Sequence, residues 1–148
     1  MSLILAVNAG SSSLKISLFQ RIAHDTAAPQ LLLTSSTSSI SSPPSKFSFT
    51  IVDTLALDRY SAGHKETSEP HILDHESAFR HFLDRLAQLG AAAEQPAKAQ
   101  GKAKISLDPS EIRNICHRVV HGGEYVEPVI INEETYHHIE RLSDLAPL

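Results

Sequence analysis

The 148-residue sequence has a single cysteine, no excess of basic residues and no long hydrophobic run. Each absence excludes something. Cys116 has no second thiol with which to close an internal disulfide, which fits a reducing compartment and a cytoplasmic protein. Thirteen Lys and Arg against 17 Asp and Glu leave a net charge of −4. Nucleic acid and anionic membranes are therefore not expected partners, although a local patch can still bind phosphate. The first apolar run, residues 3–7, lacks a basic region before it and is too short for a signal peptide or a membrane span. No internal repeat is visible. What is present, 41% apolar and 20% charged residues with a mean hydropathy of −0.13, is the composition of a soluble globular protein. Its length suits about one domain, since ~100–200 residues usually make one.

Strand patterns dominate the first third. Residues 3–8 are nearly all apolar and 14–19 alternate, with Ala9-Gly10-Ser11-Ser12-Ser13 between them. That order predicts a β-hairpin whose first strand is central and whose second is half-buried. Leu31-Leu32-Leu33 and residues 47–52 predict two further strands, the latter with Phe47, Phe49 and Ile51 on one face. Between them, residues 34–46 are mostly Ser, Thr and Pro. So little apolar surface cannot offset the entropy of ordering, and the segment reads as an inserted loop.

Helical signals come later. Asp74 is placed to cap a helix whose apolar stripe includes Phe79, Phe82, Leu86 and Leu89, with Gly90 as its stop. Residues 91–104, rich in Ala, Gln and Lys, read as a polar linker. Residues 112–120 predict a buried strand ending at Gly122-Gly123, with Cys116 a buried thiol, and Val129-Ile130-Ile131 a short strand. Asn132 is placed to cap a second helix with Tyr136, Ile139 and Leu142 at core spacing. The whole is a mixed α/β chain. Its apolar end, residues 145–148, reads as a cut terminus.

Two segments carry possible chemistry. In Asn8-Ala9-Gly10-Ser11-Ser12-Ser13-Leu14-Lys15, a turn after a strand offers backbone N–H groups, hydroxyls, an amide and an ammonium, the donors that surround phosphate oxygens. It is not a Walker A loop, because the second Gly before the Lys and the Ser/Thr after it are missing. By residue type alone, a polar hairpin turn explains it equally well. In His117-Arg118-Val119-Val120-His121-Gly122-Gly123-Glu124, strand alternation would put Arg118 and Val120 on one face. An Arg at the end of a buried strand needs a partner, which is a carboxylate or phosphate ligand or an acid of the fold. The glycines would let a ligand approach the backbone. The nine histidines do not suggest zinc: His117 and His121 would lie roughly 13 Å apart on a strand, and there is no HExxH.

Together these two segments resemble the two signatures of the acetate kinases and related short-chain acyl kinases. His64-Lys65-Glu66-Thr67 and Asp144-Leu145-Ala146-Pro147-Leu148 resemble further family segments, in the family's order. The resemblance implies an actin-like, sugar-kinase-like (ribonuclease H-like) α/β fold, a mixed sheet with flanking helices that is one half of a duplicated pair. Residues 1–148 would then be an N-terminal domain of an incomplete chain, with 34–46 an insertion and 91–104 a linker. The implied reaction is reversible phosphoryl transfer between ATP and acetate, giving acetyl phosphate and ADP, with Mg2+ as cofactor, in a cytoplasmic homodimer that feeds acetyl-CoA metabolism.

Carried over by motif, Asn8 would sit by the magnesium, and Lys15 with Gly10, Ser11 and Ser13 by the ATP phosphates. Arg118 would be the catalytic residue that binds acetate or the transferring phosphoryl group. Val120 and Leu148 would line the methyl pocket. The family's catalytic Asp, its transition-state His and its adenosine pocket would lie downstream, so the fragment alone is expected to be inactive. The alternatives are a propionate- or butyrate-type kinase and a non-catalytic remnant domain.

Overall fold

The computed structural model describes residues 2–21, 27–52, 62–93, 107–120 and 122–143. They form two compact units, Met1–His117 and Arg118–Leu148. The first unit is built on a six-stranded sheet. Its strands are β1 (Ser2–Gly10), β2 (Ser13–Arg21), β3 (Gln30–Ser38), β4 (Lys46–Ile51), β5 (Lys65–Ser68) and β6 (Ile112–His117). Their order is β5-β4-β3-β2-β1-β6, antiparallel throughout except that β6 runs parallel to β1. A parallel neighbour needs a crossover, and the chain between β1 and β6 holds helix α1 (His75–Ala93).

Alternation sorts the sheet into two faces. Leu5, Leu18, Phe49 and Ile51 share one face and join Phe82 and Leu86 of α1 in a single core cluster. Burying each such side chain contributes ~1.5–3 kcal/mol. A register shift after Leu18 bulges β3, which is how the consecutive residues Leu32 and Leu33 are both fully buried. On the opposite face, Asn8, Lys15, Ser36, Ser48 and Thr67 make one row across five strands.

The Ser/Thr-rich segment corrects the loop expected over residues 34–46. Residues 34–38 continue β3, and only 39–45 connect it to β4. Ser35 pairs with Ile16 and Phe49, and Thr37 with Leu14 and Phe47. The flanking strands satisfy the backbone of this segment and bring the apolar surface it lacks. Even the connector is tied down: Ile40 is buried, and the Ser45 hydroxyl donates to the Ile72 carbonyl at 2.9 Å.

Asp74 caps α1 as expected, accepting from the Ser77 N–H at 2.7 Å. The hydroxyl and N–H of Ser77 hold the Asp74 carboxyl below its usual pKa. Gly90 is not the stop. The helix continues through it to Ala93, and a Cβ there would make an ordinary contact, 3.4 Å from the Leu107 backbone. Of the expected 91–104 linker, residues 91–93 are helical and the rest lies outside the described residues.

The strand expected over 112–120 ends at His117, and Arg113 to His117 are exposed. Cys116 is exposed too, not buried. Among the described residues β6 pairs with β1 alone, and of its side chains only Ile112 packs against the core.

One ion pair ties the far edge of the sheet to the helix. Glu66 on β5 accepts from the Arg85 guanidinium of α1 and, at 3.3 Å, bonds His64. Burial alone raises the Glu66 pKa, but the hydrogen bonds and charges of Arg85 and His64 outweigh it and leave the carboxyl below its ordinary value. A depressed folded-state pKa means the unfolded chain binds the proton more tightly. The stabilisation is therefore full above the ordinary Glu pKa of about 4.3 and is lost as pH falls through the lower folded value. We expect Glu66→Gln to destabilise the chain by on the order of 1 kcal/mol at neutral pH and to flatten the acid loss. Urea midpoints at pH 7 and pH 3 test this. An equal acid loss in parent and variant contradicts it.

The second unit contains α2 (Glu133–Ser143). Asn132 caps it, accepting from the Thr135 N–H at 2.9 Å. Ile139 and Leu142 are half-buried, whereas Tyr136, expected at a core position, is exposed. Residues 129–131 form no strand. Gly123 has φ +60°, and a Cβ on it would lie 2.6 Å from Leu142. Within the second unit, the close approach that this glycine permits is to α2.

Candidate active site

β1 and β2 pair without a break from Ser2 opposite Arg21 to Gly10 opposite Ser13, which leaves Ser11 and Ser12 to turn the chain. Directly opposed residues share a face with Cβ atoms about 5 Å apart. Asn8 faces Lys15 in this way, because Val7, Leu14 and Ile16 take the buried face. The Lys15 side chain is exposed, and no ion pair or hydrogen bond among the described residues occupies its ammonium. A Cβ at Gly10 would lie 2.9 Å from the Ser13 hydroxyl, which would have to rotate away. The hairpin thus gathers five of the expected site residues, Asn8, Gly10, Ser11, Ser13 and Lys15, at one end of the sheet.

Two contacts to this turn were not legible in the sequence. His75, the first residue of α1, bonds the Gly10 carbonyl through Nε2 at 2.6 Å. The Ile40 N–H donates to the Ser12 carbonyl at 3.1 Å. Asp74-His75 reads locally as a helix start, and nothing in it signals a partner 65 positions away.

The other expected residues belong to the second unit or lie outside the described residues. Arg118 is the first residue of the second unit, exposed and already engaged in an interaction. It falls just past the end of β6, so neither the strand alternation nor the burial argued for it from sequence applies. Val120 is 78% exposed. His121 and Leu148 lie outside the described residues.

The donors of the turn are neutral oxygens, N–H groups and one ammonium. Among the described residues no cluster of His, Cys, Asp or Glu could hold a metal ion. The turn does not make a site for a free divalent cation. Its donors do fit a magnesium carried on nucleotide phosphates, which keeps several waters and takes other ligands from the phosphates themselves. No helix among the described residues is long and apolar enough to cross a membrane.

Comparison with known proteins places these features. The Acetokinase family matches residues 3–148. A probable acetate kinase of Emericella nidulans is 37% identical over 148 residues, which cover 98% of this chain and 29% of that protein. The acetate kinase of Bacillus subtilis is 34% identical over 149 residues, covering 100% of this chain and 30% of that protein. Among solved structures, Porphyromonas gingivalis acetate kinase matches with a TM-score of 0.71 at 25% identity, over 100% of this chain and 31% of its own. A propionate kinase from Francisella tularensis matches with a TM-score of 0.68 at 28% identity, over 100% of this chain and 30% of its own. The chain spans about 30% of the length of the relatives it matches. The sheet is that of the actin-like α/β architecture, and with a match running from residue 3 to residue 148 this chain belongs to the acetokinase family.

Proposed function

We propose that this chain is the part of an acetate kinase that holds the nucleotide phosphates and contributes to the carboxylate site. The observation that carries the reading is the hairpin, in which Asn8 and Lys15 stand opposite each other beside a Gly-Ser-Ser-Ser turn. Acetate has a pKa close to that of a Glu side chain, about 4.3, so the nucleophile is already ionised at neutral pH and needs no general base. Catalysis then consists of positioning the reactants and neutralising charge on the transferring phosphoryl group.

In this reading the Lys15 ammonium binds ATP phosphate oxygens, while Gly10, Ser11 and Ser13 orient them through N–H and hydroxyl donors. Asn8 offers its amide oxygen to Mg2+, which when bound neutralises charge on the phosphate oxygens. The planar fork of Arg118 binds the acetate carboxylate or the transferring phosphoryl oxygens. Val120 and Leu148 line the pocket for the methyl group. An apolar pocket separates substrates by only ~1–3 kcal/mol per methylene, so propionate is a second acceptor, a reading favoured by the likeness to a propionate kinase. We place the protein in the cytoplasm, as part of a homodimer.

Inorganic tripolyphosphate with magnesium probes the turn without requiring an adenosine pocket. We expect the 148-residue chain to bind it, Lys15→Ala to weaken binding about tenfold with the circular dichroism spectrum unchanged, and the chain alone to form no acetyl phosphate from ATP and acetate. Unchanged binding in Lys15→Ala refutes the phosphate role. Acetyl phosphate formation by the purified chain refutes the division of the site.

A further inference from the structure

We propose that His75 is a positioning residue for the phosphate-binding turn, holding the Gly10 carbonyl so that the following N–H faces the phosphate. The inference rests on the phosphate reading of the hairpin and adds a residue that neither signature contains. Its basis is the 2.6 Å contact between His75 Nε2 and the Gly10 carbonyl oxygen. A carbonyl oxygen only accepts, so the proton sits on Nε2 and the imidazole donates.

The consequence for the turn follows from peptide geometry. The Gly10 carbonyl and the Ser11 N–H belong to one planar trans peptide and point in opposite directions. Drawing the carbonyl towards His75 aims the Ser11 N–H the other way. A phosphate site needs donors facing the anion and acceptors turned from it, since an inward carbonyl would repel phosphate oxygens. The Ile40 N–H engages the Ser12 carbonyl in the same manner, so two of the turn's acceptors are occupied by donors of the protein.

The imidazole is also carried on a fixed support. His75 follows the Asp74 cap, whose carboxylate holds the Ser77 N–H at 2.7 Å. Just before it, Ile72 is buried and the Leu73 carbonyl accepts from the Ser41 hydroxyl at 3.1 Å. A donor mounted this way restricts a turn that Gly10 would otherwise leave mobile.

The test compares His75→Ala and His75→Gln in the 148-residue chain, with magnesium tripolyphosphate as probe and urea midpoints measured in parallel. Glutamine carries an amide N–H at similar reach. The expected result is a dissociation constant raised about tenfold in His75→Ala and restored to within about threefold of the parent in His75→Gln, with both midpoints near the parent's. An imidazole with its proton on Nε2 should also be visible in the nitrogen spectrum of the parent. If His75→Ala binds the probe as the parent does while Lys15→Ala binds weakly, the positioning role is overturned and the phosphate reading survives. If Lys15→Ala also binds normally, or the parent does not bind, the phosphate reading fails and this inference with it. Equal weakening in the Ala and Gln variants with lowered midpoints shows a packing role and overturns the proposal.

Discussion

Arg118→Lys, made in a full-length acetokinase that carries this segment, should lower acetate turnover about 100-fold or more, about 2.7 kcal/mol of transition-state stabilisation, while the thermal midpoint stays near that of the parent. The substitution keeps the positive charge. What it removes is the planar guanidinium, whose two parallel N–H groups match a carboxylate or a phosphoryl group at two points. Arg118 is exposed and lies beyond the last residue of β6, so neither strand pairing nor core packing depends on its side chain. A residue whose task is to pair with an acid of the fold gives a different pattern, in which the midpoint falls and turnover declines with it. Thermal melting and acetate kinetics on the same variant separate the two. Unchanged kinetics end the catalytic assignment.

Phe49→Ala should cost the isolated chain ~3–5 kcal/mol, a large share of the ~5–15 kcal/mol by which domains are ordinarily stable. Phe49 is 1% exposed and belongs to the core cluster that includes Phe82 and Leu86 of α1. Removing the ring loses its burial and leaves a cavity against a sheet held by pairing on both sides of β4, which limits relaxation. Ser48, one residue earlier and on the polar face, is the control: Ser48→Ala should stay within about 0.5 kcal/mol of the parent. Urea unfolding measures both. Similar losses in the two variants would mean that the division of the sheet into an apolar and a polar face is wrong.

Several features were legible because their causes are local. Phe47, Phe49 and Ile51 alternate, and their face of β4 is buried. Asp74 and Asn132 each bond a side chain or N–H three residues on, so each cap is written within four residues. The hairpin was legible as two strands and a turn, but the turn read over residues 9–13 is only two residues long, so the pairing of Asn8 with Lys15 came from the structure. The family resemblance rested on contiguous motifs of this kind.

The sequence by itself determined the alternations, the caps and the family, since each depends on neighbours within a few positions along the chain. The tertiary structure decided what depends on neighbours in space. Residues 34–38 are a strand because β2 and β4 complete their hydrogen bonds, although their own composition reads as a loop. Of the two isoleucines of β6, Ile112 packs on the core and Ile115 is exposed, because burial depends on what lies over the sheet face and not on the alternation itself. Gly123 is set by its φ of +60° and by Leu142, which approaches where a Cβ would stand. His75 reaches Gly10 across 65 positions of chain for the same reason: a hydrogen bond depends on distance in space, and the packing of α1 on the sheet sets that distance.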